Sequence, residues 1–188
     1  MKTGLIIGVA AIVIGLVFIF VIIGDRNQLV AEREAINAQW GQVDNVIQRR
    51  ADLIPNLVAT VKGIAQQEQA VIKEVTDARA ALGGAGSPQQ KIDANSKLDS
   101  AISRLLVVVE NYPQIKSSEN FLSLQNSLEG AEDRIAQERR KYNQAIQKYN
   151  TDIELFPKNI AAGLFGFARN DAYFKTEPAA RQVPKVNF

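Results

Sequence analysis

From Gly4 to Ile23 the chain runs for twenty residues without a charge, as GLIIGVAAIVIGLVFIFVII. A helix of that length rises roughly 30 Å, the thickness of the hydrocarbon core of a bilayer. The run is too long for the apolar region of a cleaved leader, and no A-x-A-type site follows it. Residues 1–25 therefore read as a transmembrane anchor, and the rest of the chain is held at a membrane surface. Lys2 lies on the short side of the span. Arg26 and Arg33 lie beyond it, mixed with Asp25, Glu32 and Glu34. Lys and Arg are nearly even across the span, so the short N-terminal tail decides, and it leans to a single-pass, N-in topology with an extracytoplasmic domain. Within the span Gly8, Ala11 and Gly15, extended by Gly4, form a ridge of small residues of the kind that lets helices pack closely in lipid.

Composition narrows the chemistry. Lys and Arg number 22 against 20 Asp and Glu. A dedicated nucleic-acid binder needs a basic excess to displace counterions, so no nucleic-acid partner is expected. There is no Cys and no His, which removes disulfides, thiolate chemistry and imidazole ligation. A Ser–His pair lacks its base, and a di-iron bundle site lacks its Glu-x-x-His motifs. Asp44, Asp52, Glu110, Glu132 and Asp133 could form only a carboxylate site, and they show no calcium-loop spacing. The Gly-rich LGGAGSPQQK lacks the G-K-[ST] ending of a phosphate loop. The reading is a non-enzyme, with no catalytic residue, cofactor or metal.

Beyond the anchor the fold class is all-α. Apolar residues recur at steps of three and four through Leu29, Ile36, Trp40, Val43, Ile47, Ile54, Leu57, Val61, Ile64, Val71, Val75, Ala78 and Leu82, which places them on one helical face. Arg33, Arg50 and Glu68 occupy steps of that series where an apolar residue is expected. GGAGSP (83–88) breaks the pattern. A second run through Leu98, Ile102, Leu105, Val109 and Tyr112 stops at Pro113. A third starts near Ser117 or Ser118, either a suitable N-cap, with Glu119 in the first turn. It carries Phe121, Leu124, Leu128, Ala131, Ile135, Tyr142, Ala145, Tyr149 and Ile153, and ends at Phe156-Pro157. Trp40, on the stripe, is expected in the core, as are Tyr142 and Tyr149, two turns apart on one face.

The stretch QRRADLIPN (48–56) interrupts the first run, and two readings stand. In the first, Arg49 and Arg50 close one helix, Asp52 caps the next and Pro55 sits in its first turn, where a missing N–H costs nothing. The chain then reverses, giving helices near 28–51, 53–82, 88–112 and 117–156, an antiparallel up-down four-helix bundle spanning 26–157. In the second, one kinked helix runs from 28 to 82, since the apolar register survives across Pro55. The hairpin is the preferred reading, although the fourth helix then overshoots its partners by about fifteen residues. Both readings bring residues 49–56 near 110–119, so Arg49, Arg50, Asp52, Glu110, Tyr112 and Glu119 form a candidate interaction patch.

The segment 158–188 reads as an extended tail with an apolar and basic character. Five of the eight Phe lie at or after Phe156, and five Lys or Arg face two acids from Lys158 onward. It is too short and Gly-rich to span a bilayer and too aromatic to stay free. Phe165, Phe167, Tyr173 and Phe174 are candidate contacts to membrane lipid or to a neighbouring subunit.

The pieces AQWGQVDNVIQRRADLIPNLVATVKG (38–63), ENYPQIKSSENFLSLQ (110–125), EDRIAQERRKYNQAIQKYN (132–150) and FPKNIAAGLFGF (156–167) resemble the LemA family. The resemblance implies a bacterial, membrane-anchored helical-bundle protein with no settled biochemical activity. Some similar sequences carry a lipoprotein-type Cys in place of a span, which adds to the extracytoplasmic lean. Relatives often show His-Glu where this chain has Gln67-Glu68, so a catalytic role for that His would be lost here. The functional expectation is a protein that binds and assembles at the membrane, as a homo-oligomer and with an unidentified protein partner. A lipid-engaging, membrane-remodelling role is second, and an enzyme using carboxylates alone is third.

Overall fold

The computed structural model describes residues 2–62 and 68–175. Seven helices and no strand occur among the described residues: α1 (Lys2–Ala51), α2 (Ile54–Lys62), α3 (Gln69–Gly83), α4 (Pro88–Val109), α5 (Pro113–Lys116), α6 (Glu119–Glu154) and α7 (Lys158–Phe165). The all-α expectation holds. The anchor and the first bundle helix are one continuous α1 of 50 residues. Its apolar section is long and apolar enough to cross a membrane, and its large side chains from Leu5 to Val21 are exposed.

The break at 52–53 is a kink, which corrects the preferred hairpin. Helix continues from Thr3 to Lys62 with only Asp52 and Leu53 outside regular geometry. Backbone bonds bridge the gap: Asp52 N–H donates to Gln48 O (2.9 Å), Leu53 N–H to Arg50 O (3.1 Å) and Leu57 N–H to Leu53 O (3.1 Å). Pro55 has no N–H to give the carbonyl four residues back, that of Ala51. That carbonyl instead accepts from Arg79 Nε of α3 at 2.9 Å. A side chain from a neighbouring helix thus replaces the bond that proline deletes, and the helix bends without breaking. The expected helix 53–82 is two helices, α2 and α3, packed against each other; residues 63–67, with Ile64 and Gln67, lie outside the described part. The run drawn to 112 ends at Val109, where N–H groups of residues 110–112 bond three residues back and tighten the turn.

Helix starts follow local chemistry. Ser87 Oγ accepts from Gln90 N–H at 3.3 Å, and Pro88 follows as the first residue of α4. Of the two serines before α6, Ser118 is the cap: its Oγ accepts from Phe121 N–H at 3.3 Å. Ser117 Oγ turns back to Pro113 O.

The chain divides into two compact units, Met1–Gln39 with Lys141–Asp171, and Trp40–Arg140 with Ala172–Phe188. In the second unit the apolar stripe is the core: Val43, Ile47, Ile54, Leu57, Val61, Val75, Leu98, Leu105, Val109, Ile115 and Ile135 are all buried. In the first, Leu29, Ile36, Tyr142, Ile146, Tyr149, Ala161 and Ala162 are buried. The overshoot of the last long helix now has its reason. Residues 141–154 of α6 belong with the portion of α1 that follows the span, and Lys148 Nζ pairs there with Glu32. The segment from Lys158, expected as an extended tail, opens with α7. Asn150, 3% exposed, secures the return after it: its Nδ2 donates to Asn170 O (2.7 Å) and its Oδ1 accepts from Asn170 N–H (2.9 Å). Residues 176–188, the remainder of that segment, lie outside the described part.

Candidate functional site

Arg50 is the pivot of the second unit. It occupies an apolar step of the α1 stripe and is 3% exposed. Burying a guanidinium is costly unless its donors are met. Here Nη1 donates to Glu132 of α6, and Nη2 meets Asp99 of α4 and donates to Asn95 Oδ1 at 2.6 Å. Asn95 is itself buried, and its Nδ2 donates to Asp99 Oδ2 at 3.2 Å. Arg139 adds a second cation, 3.4 Å from Asp99 and 4.0 Å from Glu132. Two guanidiniums and two carboxylates thus neutralise one another across three helices.

The network borders a cavity of about 560 Å³. Ile92, Ile102, Leu106 and Leu128 supply its apolar wall, and Arg50, Asp99, Glu132 and Arg139 its polar side. Phe174 comes from the chain end to complete it: its ring stacks on Trp40 at 6.2 Å between centroids and lies 4.9 Å from the Arg139 guanidinium. Cation–π geometry of this kind holds the ring by its face. Trp40, expected deep in the core, is half-buried because its partner is this late segment.

The residues grouped in the candidate patch make their contacts elsewhere. Arg49 is exposed in the last turn of α1. Asp52 Oδ1 accepts from Gln48 Nε2 at 2.9 Å, one turn back, so the carboxylate read as a cap for the next helix serves the preceding one. Glu110 lies 3.9 Å from Lys116. Tyr112 Oη donates to Glu68 Oε1 at 3.4 Å, and desolvation, then the neighbouring Glu68 charge, pushes its hydroxyl up. Glu119 is exposed in the first turn of α6. Arg50 meets Asp99, ten residues before the end of α4, about 15 Å along the helix from that end. Asn95, Asp99 and Arg139 were not singled out from sequence. The available signal was Arg50 itself, a cation on an apolar step, which must find acids at its own level on neighbouring helices.

In the first unit two cations meet two aromatic rings. Arg26 lies 5.5 Å from the Phe165 ring and Arg33 5.7 Å from the Phe167 ring. Tyr149 Oη donates to Ala168 O at 3.0 Å, and burial pushes this hydroxyl up. Tyr173 is half-buried in the second unit. Gly8, Ala11 and Gly15 are exposed along α1, and a Cβ on either glycine would meet nothing within 4 Å.

Asp152 carries the clearest electrostatic consequence. Burial pushes its carboxyl up, but hydrogen bonds with Lys158, Glu32 and Lys148 outweigh burial and lower it from 3.8 to about 2. A carboxyl depressed in the folded state stabilises the fold above its unfolded value and loses that contribution as pH falls through the folded value. Thermal stability of the full chain in detergent should therefore fall between pH about 4 and about 2, and Asp152→Asn should lower stability at neutral pH while flattening that slope. An unchanged slope in the variant would show that other acids set it.

A family model described as the LemA family matches residues 39–188. Magnetosome protein MamQ 2 of Paramagnetospirillum magneticum is 30% identical over 188 residues, covering 86% of this chain and 69% of its own length. Magnetosome protein MamQ of Magnetospirillum gryphiswaldense is 28% identical over the same shares. Protein LemA of Metamycoplasma hominis is 24% identical over 147 residues, 78% of this chain and 67% of its own.

Proposed function

Matched over most of its length, the chain belongs to the LemA family, and on that premise we propose a single-pass, membrane-anchored helical bundle that acts by binding and assembly, without turnover. The observation that carries this reading is the engagement of the charged groups at the cavity. Asp99 and Glu132 are held by Arg50, a cation that does not give up its proton. General acid–base work needs a group free to exchange a proton with substrate, and these two carboxylates are committed to structure. What remains is an apolar wall beside a neutral polar edge, a surface suited to a protein segment.

The arrangement we propose for the bundle is four rods, α1 running on into α2, then α3, α4 and α6, alternating in direction. Supporting it, α3 and α4 are joined by a short loop and by the Arg104–Glu74 pair at 2.5 Å, and Lys91 of α4 meets Asp44 of α1 at 2.5 Å. The open small-residue ridge at Gly8, Ala11 and Gly15 favours pairing of spans, so the assembled form is a homo-oligomer acting as a scaffold. Relatives named as magnetosome proteins fit work in a membrane-associated assembly. The proposed topology puts the bundle outside the cytoplasm, and the proposal includes no nucleic-acid partner.

The test is native mass measurement of the full chain in mild detergent, with co-purifying proteins identified. A mass of two or more chains, carrying a protein that is lost in Leu106→Glu at the cavity wall, is the expected result. A single chain with no companion would overturn the reading.

A further inference from the structure

Large side chains of the span are exposed from Leu5 to Val21 and again at Ile23, yet Ile22 is only 7% exposed. One turn further along α1, Arg26 lies against Phe165, which puts the end of α7 at that level. A second measure agrees. From the Lys148–Glu32 pair, six residues along α6 lead to Glu154, and six residues back along α1 lead to Arg26. Each is a rise of about 9 Å. The corner Leu155–Phe156 therefore falls near Arg26 too, where α1 leaves the apolar span.

At that level the chain displays Leu155 (55% exposed), Phe156 (77%), Leu164 (69%) and Phe165 (47%). Grouped exposed apolar side chains of this size mark a contact surface. The cations around them are engaged within the chain: Lys158 with Asp152 at 2.5 Å, and Arg169 with Glu154 at 2.5 Å and Asp171 at 3.1 Å. The patch offers apolar area, with its charge already balanced.

We propose that α7 and the Leu155–Phe156 corner form an interfacial element seated in the bilayer boundary beside the exit of α1, held by apolar contact with lipid and not by headgroup charge. The proposal rests on the membrane-anchored reading. Of the four aromatics first considered for lipid or subunit contact, it assigns Phe165 alone to lipid. Phe165 is exposed, whereas Phe167, Tyr173 and Phe174 are half-buried. The occupant is lipid because the patch continues an apolar span at the depth where that span ends.

The chain has no cysteine, so single-cysteine spin labels report cleanly. Full-length Val13→Cys, Ala38→Cys, Phe156→Cys and Leu164→Cys, labelled and reconstituted in phosphatidylcholine vesicles with or without phosphatidylglycerol, are compared by collision with oxygen and with a water-soluble nickel chelate. Ala38 is the aqueous control, exposed on the same helix about 22 Å beyond Ile23. The expected result is a severalfold loss of nickel access at 156 and 164 relative to 38, with high oxygen access, alike in both compositions. Nickel access at 156 and 164 equal to that at 38, with position 13 lipid-like, overturns the proposal and leaves the anchor standing. Water-like access at 13 as well overturns both. Low access to both reagents at 156 and 164 means a second copy covers the patch, and lipid-like access only with phosphatidylglycerol means charge holds it; either result overturns the proposal.

Discussion

Replacing Arg50 by alanine should destabilise the protein by about 3 kcal/mol, the low end of the range for breaking a buried ion pair from one side. The low end applies because the stranded carboxylates keep some water: the Asp99 side chain is 27% exposed and that of Glu132 47%. Loss of the arginine also leaves Asn95 Oδ1 without its donor in a buried position. The change should appear as a lowered urea midpoint for loss of helicity in detergent. The quadruple variant Arg50→Met, Asp99→Leu, Glu132→Leu, Arg139→Met should recover much of the loss, because removing both guanidiniums and both carboxylates together leaves no uncompensated charge. A single variant within about 0.5 kcal/mol of the parent, the value of a surface pair, would show that the network does not hold the helices together.

The span should tolerate one arginine and fail with two. Fifteen of its twenty residues are Leu, Ile, Phe or Val, contributing roughly −5 to −9 kcal/mol to insertion at −0.3 to −0.6 each. One central arginine adds about +3 kcal/mol and leaves insertion favourable. Ile12→Arg with Leu16→Arg, two cations one turn apart on one face, adds about +6 kcal/mol and brings the balance near zero. Alkaline extraction of membranes should thus leave either single variant in the pellet and release a large part of the double variant. A double variant retained like the parent would mean that the chain is held to the membrane by more than α1. The interfacial seat proposed for α7 is the evident second hold.

Much of the fold was legible because helical periodicity is a local property. Val43, Ile47, Leu57, Val75, Leu98, Leu105 and Ile135 were named from spacing alone and are buried. Ser118, one of the two serines read as a cap for the last long helix, does cap it, because a hydroxyl three residues ahead of an unpaired N–H is a purely local arrangement. The break at Pro55 was visible but its outcome was not. Whether a proline reverses or bends a helix depends on what reaches the freed carbonyl, and Arg79 is 28 residues away in sequence. The candidate site suffered in the same way. Arg50 was conspicuous as a cation on an apolar step, whereas Asp99 and Glu132 look like ordinary surface acids until three helices are set at their final heights. Trp40 was read as core because nothing local reveals that its partner is Phe174.

The amino-acid sequence by itself determined a helix long and apolar enough to cross a membrane, an all-helical body, the stripe that forms its core and the absence of thiol and imidazole chemistry. Each of these depends on composition or on a repeat of three to four residues, within which every residue meets its neighbours whatever the tertiary arrangement. Only the tertiary structure decided that α1 continues unbroken from the span into the core, that it kinks without reversing, and that Arg50 is neutralised from two other helices. It also decided which aromatic residues turn inward and which stay exposed. Those outcomes are set by long-range pairing energies of a few kcal/mol between groups far apart in the chain, and no local pattern encodes them.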